Sequence, residues 1–415
     1  MATLAKNSIA QRILDPFDAT AERTPESFRP RGDWRLWGVP LLIGVLALVI
    51  SFVGWATDPH QFYFSYLVGW AFCLTIALGA LYFVIIQHLT KARWSVVVRR
   101  IAESLLWSFP LLALLSIPIL FGMHDLYHWT HDDVVAADPV LSGKTAYLNV
   151  PFFIIRLVLY FSIWSLVGYK LYRLSLEQDS SPDPRIPAKQ RKVSAWGLVL
   201  VAVTTAFASY DFLMSLDPHW FSTIFGVYIF AGAFMSIHAV IALVAIVLQQ
   251  GSKPFRAAVT AEHYQDLGKM MFGFVVFWAY IAFSQYMLIW YGNIPEETIW
   301  YLHRLEHGWE VHSAILLIFH FIAPFLILLP RAVKRSKPLM ILMASWLLVM
   351  QWFDLRWLAI PVLHPENPGI QFLDITCWIG LTGIFIAALM YRLSRHSLVP
   401  LNGPYLAASL RFENS

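Results

Sequence analysis

Ten stretches of roughly 20 apolar residues run along the chain, at 37–56, 64–88, 97–121, 151–172, 196–216, 224–248, 269–290, 312–329, 338–360 and 371–391. A helix of about that length crosses the roughly 30 Å hydrocarbon layer of a bilayer, where only helices and closed barrels satisfy their own backbone hydrogen bonds. Barrel strands would alternate apolar and polar residues over short segments, whereas these runs are continuously apolar. The expected fold is an all-α integral membrane protein of ten transmembrane helices. Composition agrees, since 58% of the 415 residues are apolar and 13% charged, too little charge to coat a soluble globule. Residues 1–36 are polar, rich in Arg and Pro, and lack an apolar core. They read as a cytoplasmic N-terminal arm before a membrane domain of 37–391 and a cytoplasmic tail of 392–415, with the first helix serving as an uncleaved signal anchor.

Assigning Lys and Arg to alternate loops puts 26 of the 30 on one side, together with both termini. The opposite loops carry only Lys144 and Arg304, and Arg156 and Arg356 fall inside spans. By the positive-inside rule both ends are cytoplasmic. The outer loops 122–150 and 291–311 are acidic and rich in Trp, Tyr and His. An interfacial aromatic belt explains each aromatic singly; taken together the two loops suit a docking surface for a peripheral partner.

Cys73 and Cys377 are isolated within spans, so no iron–sulfur or covalent haem motif is present. A non-covalent haem would need paired axial ligands, and the intramembrane candidates are His238 and His320, with His88 and His312 near span ends. For a lone intramembrane His, hydrogen bonding between helices is the ordinary role. The chain is expected to carry no redox cofactor and no metal of its own, and no nucleic-acid partner is expected.

Phe64-Ser65 with Gly69 and Phe221-Ser222 with Gly226 open the second and sixth spans, and Asp211 and Asp354 each follow an aromatic in the outer third of the fifth and ninth. These echoes suggest two four-helix bundles, spans 2–5 and 6–9, related by an axis along the membrane normal and flanked by spans 1 and 10.

Ionisable groups inside spans cost roughly 2.5 to 3.5 kcal/mol each, so function is their default reading. Glu103 lies toward the cytoplasm, His238 and His320 near mid-membrane, and Arg156, Asp211, Asp354 and Arg356 toward the outside, with Asp374 at a boundary. They could be stations on two proton half-paths, or ion pairs that only fix helix register. Asp354 and Arg356, two residues apart, point to nearly opposite sides of a helix, so each needs a partner from another span. The repeat suggests that they meet Asp211 and Arg156 at a bundle interface. Glu103, with no obvious cation on another span, is the favoured proton carrier.

The run from Ser209 to Gly226, SYDFLMSLDPHWFSTIFG, and the run from Phe283 to Thr298, FSQYMLIWYGNIPEET, resemble the membrane subunits of alternative complex III, relatives of the polysulfide-reductase (NrfD-type) membrane anchors. Length and short loops resemble the smaller of its two such subunits. The resemblance implies a quinol:electron-acceptor oxidoreductase of the bacterial inner membrane. It implies iron–sulfur and c-type haem subunits on the outer face, a second homologous ten-helix subunit, surrounding lipid, and menaquinol or its quinone bound at an interface with partners. Because two-electron oxidation needs an electron acceptor that this chain lacks, a quinol pocket would borrow one from a neighbour, most simply at the outer mouth of the first bundle. There His124, Asp125 and His128 would take quinol protons, or remain solvated loop residues. Two other functions fit ten spans with buried charges: a secondary transporter, although matched Gly/Pro interruptions in the two halves are missing, and a purely structural anchor.

Overall fold

The computed structural model describes residues 34–414. Among them ten helices are long and apolar enough to cross a membrane: α1 (Arg35–Trp55), α2 (Pro59–Leu89), α3 (Val96–Phe121), α4 (Val150–Ser180), α5 (Arg185–Leu216), α6 (Phe225–Gly251), α7 (Ala261–Gly292), α8 (Trp309–Leu328), α9 (Lys337–Leu363) and α10 (Phe372–Arg395). The remaining elements are short helices in the loops, and no strand occurs among the described residues. The expected N-terminal arm, up to residue 33, lies outside the described residues.

Local chemistry sets the helix ends. Asp58 accepts from Gln61 N with Pro59 opening α2, and Asn149 accepts from Phe152 N at the start of α4, so each side chain satisfies an orphan amide. Reciprocal side-chain caps start α7 (Thr260 with His263) and α10 (Gln371 with Asp374). Asn293 ends α7 in the left-handed conformation at φ 48°. α3 is broken into pieces ahead of Pro110 and Pro118, whose missing N–H groups interrupt the ladder. α8 contains a π-helical stretch, Leu316–Ile322, just before Pro324.

The sequence fits the number of spans but not their lengths. α4, α5 and α7 have 31, 32 and 32 residues, about 47 Å at 1.5 Å per residue, well beyond the hydrocarbon layer. Polar ends such as Arg173–Ser180 and Arg185–Lys192 stay helical because helix propensity, unlike hydropathy, does not stop at the interface.

α2 is the most enclosed span. It packs against α1, α3, α5, α6, α9 and α10, while α6 packs against α2, α5, α7 and α9. Consecutive helices from α2 to α5 touch, and α5 returns to α2; consecutive helices from α6 to α9 touch, and α9 returns to α6. α1 lies along α10. In lipid no hydrophobic force draws helices together, so close backbone approach carries the packing. A Cβ on Gly79 would sit 2.1 Å from Ala233 O of α6, and one on Gly44 would sit 2.8 Å from Gly380 O of α10.

The Phe-Ser…Gly echo does not occupy matching places. Phe64 is buried within α2 and Gly69 faces Cys377 of α10, whereas Phe221 lies exposed before α6 and Gly226 faces Ala206 of α5.

Beyond α10 the chain folds back across the helix ends that carry most of the Lys and Arg. Ser409 Oγ donates to Trp94 O at 2.7 Å and accepts from Val97 N, and His263 Nε2 lies 3.1 Å from Ser409 O. Asn414 bonds Glu262 of α7.

Candidate functional site

α9 carries Asp354 and Arg356, and their two-residue offset sends them to different neighbours. Asp354, 1% exposed, accepts from the Tyr228 hydroxyl of α6 and from Trp278 Nε1 of α7 at 3.2 Å. Among the described residues no cation forms an ion pair with it. The Trp278 indole stacks on His320 of the α8 π stretch, with centroids 4.1 Å apart and planes 8° from parallel. Neither His320 nitrogen has a hydrogen-bond partner. Each of α6, α7, α8 and α9 thus supplies one polar or aromatic group to a single buried cluster.

Tyr228 and Trp278 also form part of the wall of a cavity of about 430 Å³. Its sides are aromatic and aliphatic, including Tyr286, Tyr301 and Trp357. Phe283, Leu305 and Leu317 at its margin are exposed, so an apolar ligand can reach it sideways from lipid. Gln285 supplies a polar rim, accepting from Ser222 Oγ at 2.8 Å and donating to Tyr301 Oη at 3.1 Å. The cavity is mostly apolar with a few convergent polar groups, the usual character of small-molecule sites.

Above the cavity, Arg304 is fully buried in the α7–α8 loop. It donates to the carbonyls of Trp300 (2.8 Å), Leu358 (2.7 Å) and Trp357 (3.2 Å), with its guanidinium 3.4 Å from the Trp300 ring. Burial pulls its pKa down to about 9, still above neutrality. Pro361 explains the site, because its missing N–H leaves the Trp357 carbonyl without a helical donor; Arg304 replaces that donor.

The other intramembrane charges form separate clusters. Arg156 of α4 makes a two-pronged ion pair with Asp211 of α5 at 2.8 and 2.9 Å, and Tyr160 donates to the same carboxylate at 2.6 Å. Arg356 pairs with Asp374 of α10 at 3.0 Å and donates to the carbonyls of Pro368 and Gly369. Asp374 also accepts from Gln61 and Ser65 of α2. The expected meeting of Arg156, Asp211, Asp354 and Arg356 is therefore corrected: each arginine takes one carboxylate together with loop carbonyls, and Asp354 is left with neutral donors.

Glu103 is likewise not alone. Its cations come from its own helix, Arg99 at 2.9 Å and Arg100 at 3.2 Å, with Ser175 of α4 donating as well; Arg100 continues to Asp179 at 2.7 Å. His238 makes no bond between helices. Its Nδ1 bonds Phe234 O of the same helix, and the ring lies among Phe83, Phe234 and Phe274. Among the described residues no group of three or more His, Cys, Asp or Glu is arranged to hold a metal ion.

His124, Asp125 and His128 do come together, lining an open cavity of about 490 Å³ with His60 and His131. His60 Nδ1 is 3.2 Å from Asp125, and the His124 and His131 rings stack with centroids 3.7 Å apart.

Tyr228, Trp278, Gln285, Tyr301 and Arg304 escaped sequence reasoning. Aromatics within spans read as core or belt, and nothing in their spacing separates a cavity wall from ordinary packing. For Arg304 the available signal was its being one of only two cations in the outer loops, together with a proline inside a span. No protein-family model matches the chain, and no curated protein matches it.

Proposed function

We propose that this chain is a membrane subunit of a quinol:electron-acceptor oxidoreductase of the alternative complex III kind, supporting quinol oxidation by holding quinol in the α6–α9 cavity and accepting its protons. The observation that carries this reading is the Tyr228–Asp354 pair, a buried carboxyl with no cation, behind an aromatic cavity open to lipid. A quinol has a flat ring for the aromatic walls, an isoprenoid tail for the lipid-side opening and hydroxyl groups that need an acceptor. Oxidation to quinone releases two electrons and two protons. Tyr228 can relay one of the two protons to Asp354 and the other passes to water at the loop end of the cavity, while the electrons leave to a partner's iron–sulfur or c-type haem group.

Two closed rings of packing, α2–α5 and α6–α9, with α1 and α10 alongside, support the two-bundle arrangement. The basic helix ends support an orientation with both termini in the cytoplasm of a bacterial inner membrane. The acidic loops on the other side, with the histidine cavity at 124–131, are the surface for the redox partners, next to a second homologous ten-helix subunit.

Purification of the native assembly tests this. Haem and iron–sulfur polypeptides should copurify, and a photoreactive quinone analogue should label residues around Tyr286 and Tyr301. Recovery of the chain alone, with solute uptake in liposomes, would instead establish a transporter; copurification without quinone labelling would reduce it to an anchor.

A further inference from the structure

At the basic ends of α2, α3 and α5 lies a small cavity closed from below by the C-terminal tail. Its wall includes Lys91, Arg99 and Arg191, and no Asp or Glu. Among the described residues Lys91 and Arg191 form no ion pair, and Arg99 uses only its Nε, on Glu103. Two neutral side chains in the same wall, His88 and Gln178, are more than nine-tenths buried, and their Nε2 atoms have no hydrogen-bond partner. Buried polar atoms are rarely left unmet, and here two of them accompany three cations in one place.

Lys91 adds an independent oddity. It follows α2 with φ 53°, the left-handed position that normally takes Gly because a Cβ is strained there. Glycine would close α2 with less strain, so the lysine at this turn calls for a reason other than the fold.

We infer that this cavity binds the phosphate group of an anionic phospholipid. The interior, about 20 Å³, has room for a phosphate oxygen or two, with the rest of the group at the cavity's mouth. It lies just past the apolar part of α2, at headgroup depth, and basic pockets between helices at the cytoplasmic surface attract anionic headgroups. Tyr405, Pro404 and Gly403 of the tail complete the wall, and Arg93 lies over the Tyr405 ring. A bound headgroup therefore fastens the tail to α2 and α5.

The test uses the full chain in detergent, stripped of lipid and titrated with phosphatidylglycerol, phosphatidylcholine or inorganic phosphate. Melting temperature and native mass spectrometry give the readouts. Phosphatidylglycerol should bind and raise the melting temperature where phosphatidylcholine does not. Lys91→Gly and Arg191→Gln should each weaken that binding about tenfold, whereas Lys189→Gln, an exposed cation outside the cavity wall, should leave it unchanged. Lys91→Gly should melt no lower than the parent without lipid, so lost binding cannot be ascribed to misfolding. Equal responses to the two lipids, or unchanged phosphatidylglycerol binding in both cavity variants, would overturn the site. Binding of inorganic phosphate alone, with the same sensitivity to the variants, would support a phosphate site and overturn its assignment to lipid.

Discussion

Tyr228 donates its hydroxyl hydrogen bond to Asp354 between α6 and α9, as Tyr160 does to Asp211 between α4 and α5, yet only Asp211 has a guanidinium beside it. The two carboxyls should therefore respond in opposite ways to neutral replacement. Asp211→Asn strands the Arg156 charge and should lower stability by about 3–5 kcal/mol. Asp354→Asn strands no charge and loses one of two acceptors, for about 1 kcal/mol. Turnover should reverse the order: Asp354→Asn and Tyr228→Phe should each slow quinol-driven electron transfer by about 10²–10⁴-fold, the usual size of a proton-transfer contribution. Thermal melts in detergent together with quinol kinetics check both halves. Normal turnover in Asp354→Asn would eliminate the proton-acceptor role.

Span number was legible because bilayer thickness imposes a length that hydropathy records directly. Pairing was not. Arg156 finds Asp211 across 55 residues, and Arg356 finds Asp374 on a helix reached through an outer loop; no periodicity encodes which helices adjoin. Among the described residues Glu103 forms no ion pair with another span, in keeping with its sequence; its cations, Arg99 and Arg100, stand four and three residues before it on the same helical face, a local spacing that the sequence displays directly.

That local network makes Glu103 a joint between α3 and α4. Glu103→Gln leaves Arg99 without its carboxylate and weakens the hold on Arg100, so a stability loss of about 3–5 kcal/mol is expected. Quinol turnover, once corrected for the folded fraction, should stay at the parent level. A stable variant with altered proton-to-electron stoichiometry would return Glu103 to the proton path.

Close approach of α2 and α6 requires glycine at position 79. Gly79→Ala places a methyl 2.1 Å from Ala233 O, which forces the helices apart at a cost of about 1–3 kcal/mol. Gly273→Ala on α7 meets no atom within 4 Å and should gain up to about 1 kcal/mol through helix propensity. Melting temperatures of the two variants should fall on opposite sides of the parent.

Arg304 stands in for the amide that Pro361 lacks. Arg304→Met should cost about 2–3 kcal/mol by leaving buried carbonyls unmet, and adding Pro361→Ala, which supplies an N–H to Trp357 O, should return about 1 kcal/mol. A double-mutant cycle measures that coupling; strict additivity would refute the substitution. Because the folded pKa is lowered to about 9, the unfolded chain holds this proton more tightly. Burial of the Arg304 charge thus offsets part of what its hydrogen bonds contribute, fully below pH 9 and progressively less as pH rises above it. The parent's stability should accordingly improve relative to Arg304→Met across that range.

On the acidic side, His219 lies 2.5 Å from Asp138, stapling the α3–α4 loop to the α5–α6 loop, with Lys144 donating to Pro218 O nearby. The hydrogen bond with His219 holds the Asp138 carboxyl below its ordinary range. A lowered carboxylate pKa contributes stability that is present above its unfolded value of about 3.9 and is lost as pH falls through the folded value. The loop should thus resist proteolysis at neutral pH and open only in stronger acid than an unpaired Asp would need. Asp138→Asn keeps a good N-cap for Val140 and Leu141 but removes the charge facing His219. It should therefore expose residues 131–145 to protease already at neutral pH while leaving the helices of the membrane domain uncut. Equal cleavage of parent and variant between pH 4 and 7 would show that the staple does not hold the loop.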